Sequence, residues 1–239
     1  MQFPVKLVRA RLRRRYKRFL SDHELDDGGL VTAHCANPGS MLGLTHAGVE
    51  TWLAPNDDPG RKLRYSWEML RLGSTLVGVN TSRPNTLAEE AIRTNQLAPL
   101  AGYSSVRREV RYGTRSRIDL LLEGPRRRAC YVEVKNVHMS REPGVAEFPD
   151  SVTDRGRKHL VELARRVEGG DRAVMLYLVQ REDCAAFRLA GDIDPAYVQA
   201  FHAARAAGIE VLAYGCRLTV EEITVAGSLA MTDPAGNAP

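Results

Sequence analysis

Ser116-Arg117-Ile118-Asp119-Leu120-Leu121-Leu122, the break Glu123-Gly124-Pro125-Arg126, and Cys130-Tyr131-Val132-Glu133-Val134-Lys135 decide how this chain is read. Both flanks are rich in large apolar residues, and the Gly-Pro break between them is a turn signal, so the pattern predicts a β-hairpin. Strand side chains alternate faces, which places Tyr131, Glu133 and Lys135 on one side and Cys130, Val132 and Val134 on the other. A hairpin closing symmetrically near Arg126 sets Asp119 opposite Glu133. Two carboxylates and an ammonium gathered there would hold a divalent cation and a phosphate together.

Around that hairpin, 239 residues give room for two domains, and 44% hydrophobic with 26% charged residues is an ordinary globular balance. The net charge of +5 matters less than its placement. Lys6, Arg9, Arg11, Arg13, Arg14, Arg15, Lys17 and Arg18 follow one another without an acid, and Asp22, Glu24, Asp26 and Asp27 come next. Such a block suits a polyanion, with a solvated face as the plainer alternative. Cys35, Cys130, Cys184 and Cys216 have no paired spacing and read as buried reduced thiols. No long apolar span is visible, so the chain reads as cytoplasmic with no membrane partner.

The first eighty residues carry strand signals. Val8, Ala10 and Leu12 alternate with arginines, although Val5, Val8, Leu12, Tyr16 and Phe19 also fit a helical period. The turn Asp26-Asp27-Gly28-Gly29 favours strands, and further candidates at 49–53, 63–72 and 75–80 complete about five, which suits a small oligonucleotide-binding (OB) type barrel. The texture then changes. Thr86-Leu87-Ala88-Glu89 predicts a capped helix through about Leu97, stopped by Pro99. Strands at 105–111, 116–122 and 129–137 follow, then a helix at 153–167 with Leu160, Val161, Leu163, Ala164 and Val167 as its apolar stripe. A strand at 173–180, a helix at 195–207 and a strand at 209–214 complete a layered α/β unit. The expected division is 1–82, 83–225 and a flexible tail, 226–239.

Asp119 and Glu133 are the expected ligands of Mg²⁺ or Mn²⁺, with Lys135 on the phosphate or the attacking water. Glu90 is a candidate third carboxylate, because it shares a helix face with Leu87 and Ala91. Arg155, Arg157, Lys158 and His159 make the start of the second helix basic, and Lys158 and His159 are placed to touch phosphates. His159 lacks a second ligand at helical spacing, which argues against a lone metal ligand. Alternating charges paired on an exposed strand face would produce the same triplet without chemistry. No helix-turn-helix signature is present, so DNA, if bound, is read without strong sequence specificity. A homodimer is one open oligomeric option.

Longer motifs add to this. Arg15-Tyr16-Lys17-Arg18-Phe19-Leu20, His34-Cys35-Ala36-Asn37-Pro38-Gly39-Ser40-Met41, Ser116-Arg117-Ile118-Asp119, Tyr131-Val132-Glu133-Val134-Lys135 and Phe148-Pro149-Asp150-Ser151-Val152-Thr153, with Arg155-Gly156-Arg157-Lys158-His159-Leu160, resemble the sugar fermentation stimulation protein A (SfsA) family. The resemblance implies an α+β chain, with an OB-type barrel joined to a PD-(D/E)xK nuclease-like α/β domain, and a DNA-binding role. It places the nuclease pattern on Glu90, Asp119, Glu133 and Lys135, with Lys158 as a further candidate. The expected nucleic-acid contacts are Arg13, Arg15, Lys17, Arg18, Asn37, Arg117, Arg155 and Lys158. Where the family usually has Cys-Pro-Asn-Thr-Gly, this chain has Cys35-Ala36-Asn37-Pro38-Gly39, losing a threonine hydroxyl. The function implied is metal-dependent phosphodiester hydrolysis, the alternative a non-cleaving DNA-binding regulator of sugar metabolism genes.

Overall fold

In the computed structural model, which describes residues 1–113 and 116–232, the basic N-terminal stretch is a strand. β1 (Val8–Tyr16) turns Ala10 and Leu12 into the barrel and its arginines outward. It pairs antiparallel with β2 (Leu20–Leu25) and β4 (Glu50–Pro55). β3 (Leu30–His34) pairs with β2, β5 (Tyr65–Leu72) with β4, and a parallel β3–β5 contact closes the five strands. Closure removes the free edges that an open sheet would expose. β6 (Thr75–Gly78) adds to β5. Inside the barrel, His23 is fully buried between the hydroxyls of Thr51 (3.0 Å) and Ser21 (2.8 Å), edge-on to Trp67.

The antiparallel β1–β2 pairing sets the basic block beside the acids that follow it in sequence. Arg9 bonds Asp26 at 3.0 Å, Arg14 bonds Asp22 at 2.8 Å, and Arg13 pairs with Glu24. Arg9, Arg13 and Arg14 are thus paired with acids, and of the expected phosphate contacts in the block only Arg13 is among them.

The second unit starts at α1 (Pro84–Arg93), two residues before the expected cap. Pro84 takes the first helical position, where its missing N–H costs nothing, and no side chain caps the end. The helix ends at Thr94, short of Leu97, and Asn95 is left-handed (φ 58°). β7 (Ser105–Tyr112), β8 (Ser116–Glu123) and β9 (Cys130–Val137) form an antiparallel meander. β10 (Met139–Glu142) and β11 (Gly144–Phe148) begin a small second sheet. α2 (Asp154–Glu168) is capped by Thr153, whose hydroxyl accepts the Gly156 N–H at 3.0 Å. β12 (Arg172–Val179) lies parallel to β9, β13 (Cys184–Leu189) joins the small sheet, and α3 (Pro195–Ala206) leads to β14 (Glu210–Leu218), parallel to β12. β15 (Ile223–Ser228) pairs back on β14 and β16 (Ala230–Met231) on β13. The expected tail therefore begins as strand, because Tyr214 pairs with Ser228 and Ala186 with Ala230. Its remainder, 233–239, lies outside the described residues.

The main sheet runs β15-β14-β12-β9-β8-β7. One face, with Leu120, Val132 and Leu176, packs on Leu87 and Ala91 of α1 and continues into Trp52, Met69 and Leu76 of the barrel. The other, with Leu121, Met175 and Tyr177, packs on Leu160 and Leu163 of α2 and Phe201 of α3. Val161, expected in the α2 stripe, is 47% exposed. It sits about 100° round the helix from Leu160, and the buried face instead takes in His159 and Glu162. All four cysteines are free and buried, and no helix among the described residues is long and apolar enough to cross a membrane.

Candidate functional site

The β8–β9 ladder pairs Leu122 with Cys130, Leu121 with Tyr131 and Leu120 with Val132. The next pair in that register is Asp119 with Glu133. There the ladder gives way to a side-chain contact, because the Asp119 carboxylate accepts the Val134 N–H at 2.8 Å. Its other oxygen accepts the Asn85 side-chain amide of α1, also at 2.8 Å. Glu133 is 2% exposed. One of its oxygens, Oε1, accepts Lys135 Nζ at 2.7 Å and contacts His159 Nδ1. The other, Oε2, is buried and accepts nothing from the described residues.

These contacts split the two acids electrostatically. Burial, reinforced by the charge of Glu133, pushes the Asp119 carboxyl up to about 6, against the opposing pull of the Val134 N–H, Lys135 and Asn85. Burial would raise Glu133 too, but Lys135 and His159 outweigh it and hold that carboxyl below its ordinary value. Tyr112, at the end of β7, completes the surroundings. Burial and the charges of Glu133, Glu162 and Asp119 keep its phenol protonated far into the alkaline range, and its hydroxyl is buried without a hydrogen-bond partner among the described residues.

The structure therefore brings together Asp119, Glu133 and Lys135, and adds Asn85 and His159. Glu90 is not among them. Its side chain is 48% exposed and accepts the Met1 ammonium at 2.8 Å, across the helix from Asn85. Five residues on a helix turn about 500°, so Asn85 and Glu90 point in different directions. Lys158 is exposed on α2 and lies 3.8 Å from Glu162, while its neighbour His159 turns inward to Glu133. Asn37 is 2% exposed, and its side-chain oxygen accepts the Gly39 N–H at 2.9 Å, so it shapes the loop from within instead of facing a phosphate. Arg15 is spent on the same loop, donating to the Asn37 and Gly39 carbonyls at 2.7 and 2.9 Å. Lys17, Arg18, Arg117 and Arg155 are exposed. Arg155 lies 3.4 Å from His159 Nε2, one helical turn away.

Asn85 and Tyr112 escaped sequence reading, and His159, expected at a phosphate, instead turns to Glu133. The position of His159 beside Leu160 on the buried stripe was the signal for that inward turn, and no local pattern marks Asn85. Among the described residues, no group of three His, Cys, Asp or Glu side chains is set to hold a metal ion. A two-carboxylate site still suits a hard cation that keeps several waters, and the vacant buried Glu133 Oε2 is the acceptor such an ion would satisfy.

Residues 14–79 match the family described as SfsA N-terminal OB domain, and residues 82–222 match the Sugar fermentation stimulation protein RE domain. The chain is 53% identical over 225 residues to a Sugar fermentation stimulation protein homolog of Maricaulis maris, covering 94% of this chain and 96% of that one. It is 55% identical over 240 residues to the homolog of Jannaschia sp., covering 100% and 99%. Its fold superimposes on the structure of Pyrococcus furiosus SfsA in complex with Ca²⁺ with a TM-score of 0.88, at 25% identity, over 97% of this chain and 98% of that one.

Proposed function

Because the chain belongs to the sugar fermentation stimulation protein family, we propose that it binds DNA and hydrolyses phosphodiester bonds with a divalent cation held by Asp119 and Glu133. The observation that carries this reading is the unsatisfied Glu133 Oε2 beside a half-buried Asp119. A buried carboxylate oxygen without a donor is costly, and a cation resolves it. The Ca²⁺ in the Pyrococcus furiosus relative supports a divalent ion. Mg²⁺ or Mn²⁺ is the working ion of this proposal, because its smaller shell suits two carboxylates plus water. When bound, the ion neutralises charge on the phosphate and acidifies a water.

The protein's own groups would do the rest. Asp119 is fixed from two sides by Asn85 and the Val134 N–H. His159 orients Glu133 from α2. Lys135, an ammonium 2.7 Å from Glu133, is placed to receive a phosphate oxygen or to align the attacking water. The test is incubation of the purified protein with DNA and Mn²⁺. Product formation that Asp119→Ala and Glu133→Gln abolish supports hydrolysis; equal background from all three rejects it.

A binder that does not cleave is the second reading, favoured by the lack of a third converging ligand among the described residues. It predicts gel shifts without a divalent cation, weakening steeply with salt as counterions are released.

A further inference from the structure

We propose that the cleft between the barrel and the segment leading into α1 receives one unstacked nucleobase of single-stranded DNA, with Phe19 and His34 as the stacking platform at its mouth. The inference rests on nucleic acid being the ligand, as above, but not on cleavage.

The cleft encloses about 570 Å³, lined by His34 at the end of β3, Asn56 and Arg61 from the β4–β5 loop, Ser66 of β5, and Asn80. Sites for small organic ligands span roughly 300–1,000 Å³. Val5, Ala54 and Pro55 give it apolar surface for the faces of a ring. Its polar groups are uncommitted in one particular way. The Asn56 side-chain oxygen already accepts the Asp58 N–H at 2.9 Å, and the Asn80 oxygen accepts the Ser82 N–H and hydroxyl at 3.0 and 2.6 Å. Both amide nitrogens remain as donors, and the Ser66 hydroxyl can donate or accept. Base edges present matching acceptors and donors.

The charges inside the cleft cancel. Glu68, 1% exposed, is clamped by Arg83 through two bonds of 2.9 and 2.6 Å, and the lining's other two charges, Asp57 and Arg61, are of opposite sign. A bare phosphate gains little there. The uncompensated cations are outside. Lys17 and Arg18 form the β1–β2 turn in left-handed backbone (φ 49° and 62°), and among the described residues neither makes an ion pair, in contrast to Arg9, Arg13 and Arg14 behind them. The next residue, Phe19, is 48% exposed and stacks on the exposed His34, with centroids 6.5 Å apart and planes 10° from parallel. Paired cations, then free cations, then an exposed aromatic platform, then a neutral polar cleft is the order in which a single strand presents phosphate, ring face and base edge. A base within a duplex is stacked and its pairing edge is occupied, so it cannot enter without leaving the helix.

The test uses the full chain without divalent cation and compares two labelled oligomers of equal length, one of thymidine and one wholly abasic, by fluorescence anisotropy. Wild type is expected to bind the thymidine oligomer at least about fivefold more tightly, the lower end of a lost base stack. In Phe19→Ala with His34→Ala, and separately in Ser66→Trp, which fills the cleft, that preference should shrink to within about twofold while abasic affinity holds. Phe19 and His34 are surface residues, so the first variant keeps the test valid if the second misfolds. Equal binding of the two oligomers by wild type, including no binding of either, overturns the proposal, as does a preference that survives both variants. Duplex cleavage with Mn²⁺ is followed in parallel. Its absence in wild type bears on the Asp119–Glu133 site alone, because base preference is measured without cation.

Discussion

Asp119 takes the Val134 N–H that a strand partner would otherwise use, at 2.8 Å. The carboxylate is thereby locked to the backbone of the strand that carries Glu133 and Lys135, one residue from each. Such a bond fixes a ligand more firmly than rotamer preference alone, and it places both acids at the point where β8 and β9 part.

The same position should reveal itself in stability. Asp119 rises on folding from 3.8 to about 6, so it contributes stability below pH 4 and withdraws it as pH climbs through 6. Without divalent cation, Asp119→Asn is expected to be more stable than wild type at pH 8 by up to about 3 kcal/mol, converging with it near pH 4. Urea denaturation at the two pH values measures this. Added Mn²⁺ should raise the wild-type midpoint and leave the variant's unchanged.

His23 should act with the opposite sign. Burial lowers it from 6.5 to about 4, so it supports the fold above pH 6.5 and that support is lost as pH falls through 4. The loss is about 3 kcal/mol. A His23→Gln variant, with no such titration, should show a flatter stability profile across that window, even if its neutral-pH stability is lower. Profiles that run parallel would disprove the assignment.

Asn85 and Glu90 separate the observed site from the one expected on the first helix. Asn85→Ala removes a 2.8 Å bond to Asp119 and is expected to weaken Mn²⁺ binding severalfold in calorimetry. Glu90→Ala removes only a surface pair with the Met1 ammonium, about 0–1 kcal/mol, and should leave the cation affinity unchanged. The reverse pattern would return Glu90 to the metal.

Arg15 binds the Asn37 and Gly39 carbonyls, and the same loop reaches the second unit, where the Ser40 hydroxyl donates to the Asp150 carbonyl at 2.6 Å and the Met41 N–H to its carboxylate at 3.0 Å. Arg15→Ala is expected to cost about 2 kcal/mol and to speed amide exchange at Gly39 and Met41. Both bonds leave one nitrogen, Nη2, so Arg15→Lys, whose ammonium carries three donors, should recover part of the loss.

Asp119, Glu133 and Lys135 were legible because period-two alternation and a central turn fix both face and register. The barrel was legible from Gly-rich turns between short apolar runs. Glu90 was misjudged because the helix begins at Pro84 and packs through Leu87, Ala88 and Ala91, which turns Asn85 to β8 and Glu90 to the N-terminus. His159 looked like one more member of a basic run until tertiary packing turned it under α2. β10, β11, β13, β15 and β16 were missed because they are short, and β11, β13 and β16 take partners far off in sequence, such as Ala186 with Ala230. Arg9, Arg13 and Arg14 of the basic block are paired because strand pairing brings the acids that follow in sequence alongside them.

Trp52, Met69 and Leu76 sit in one apolar cluster with Leu87, Val132 and Leu176. Because that cluster draws side chains from both halves, the two are expected to melt together. Cutting the polypeptide near Ser82 would bare indole and aliphatic side chains on both fragments, and a calorimetric scan of the uncut molecule should show a single heat-absorption peak.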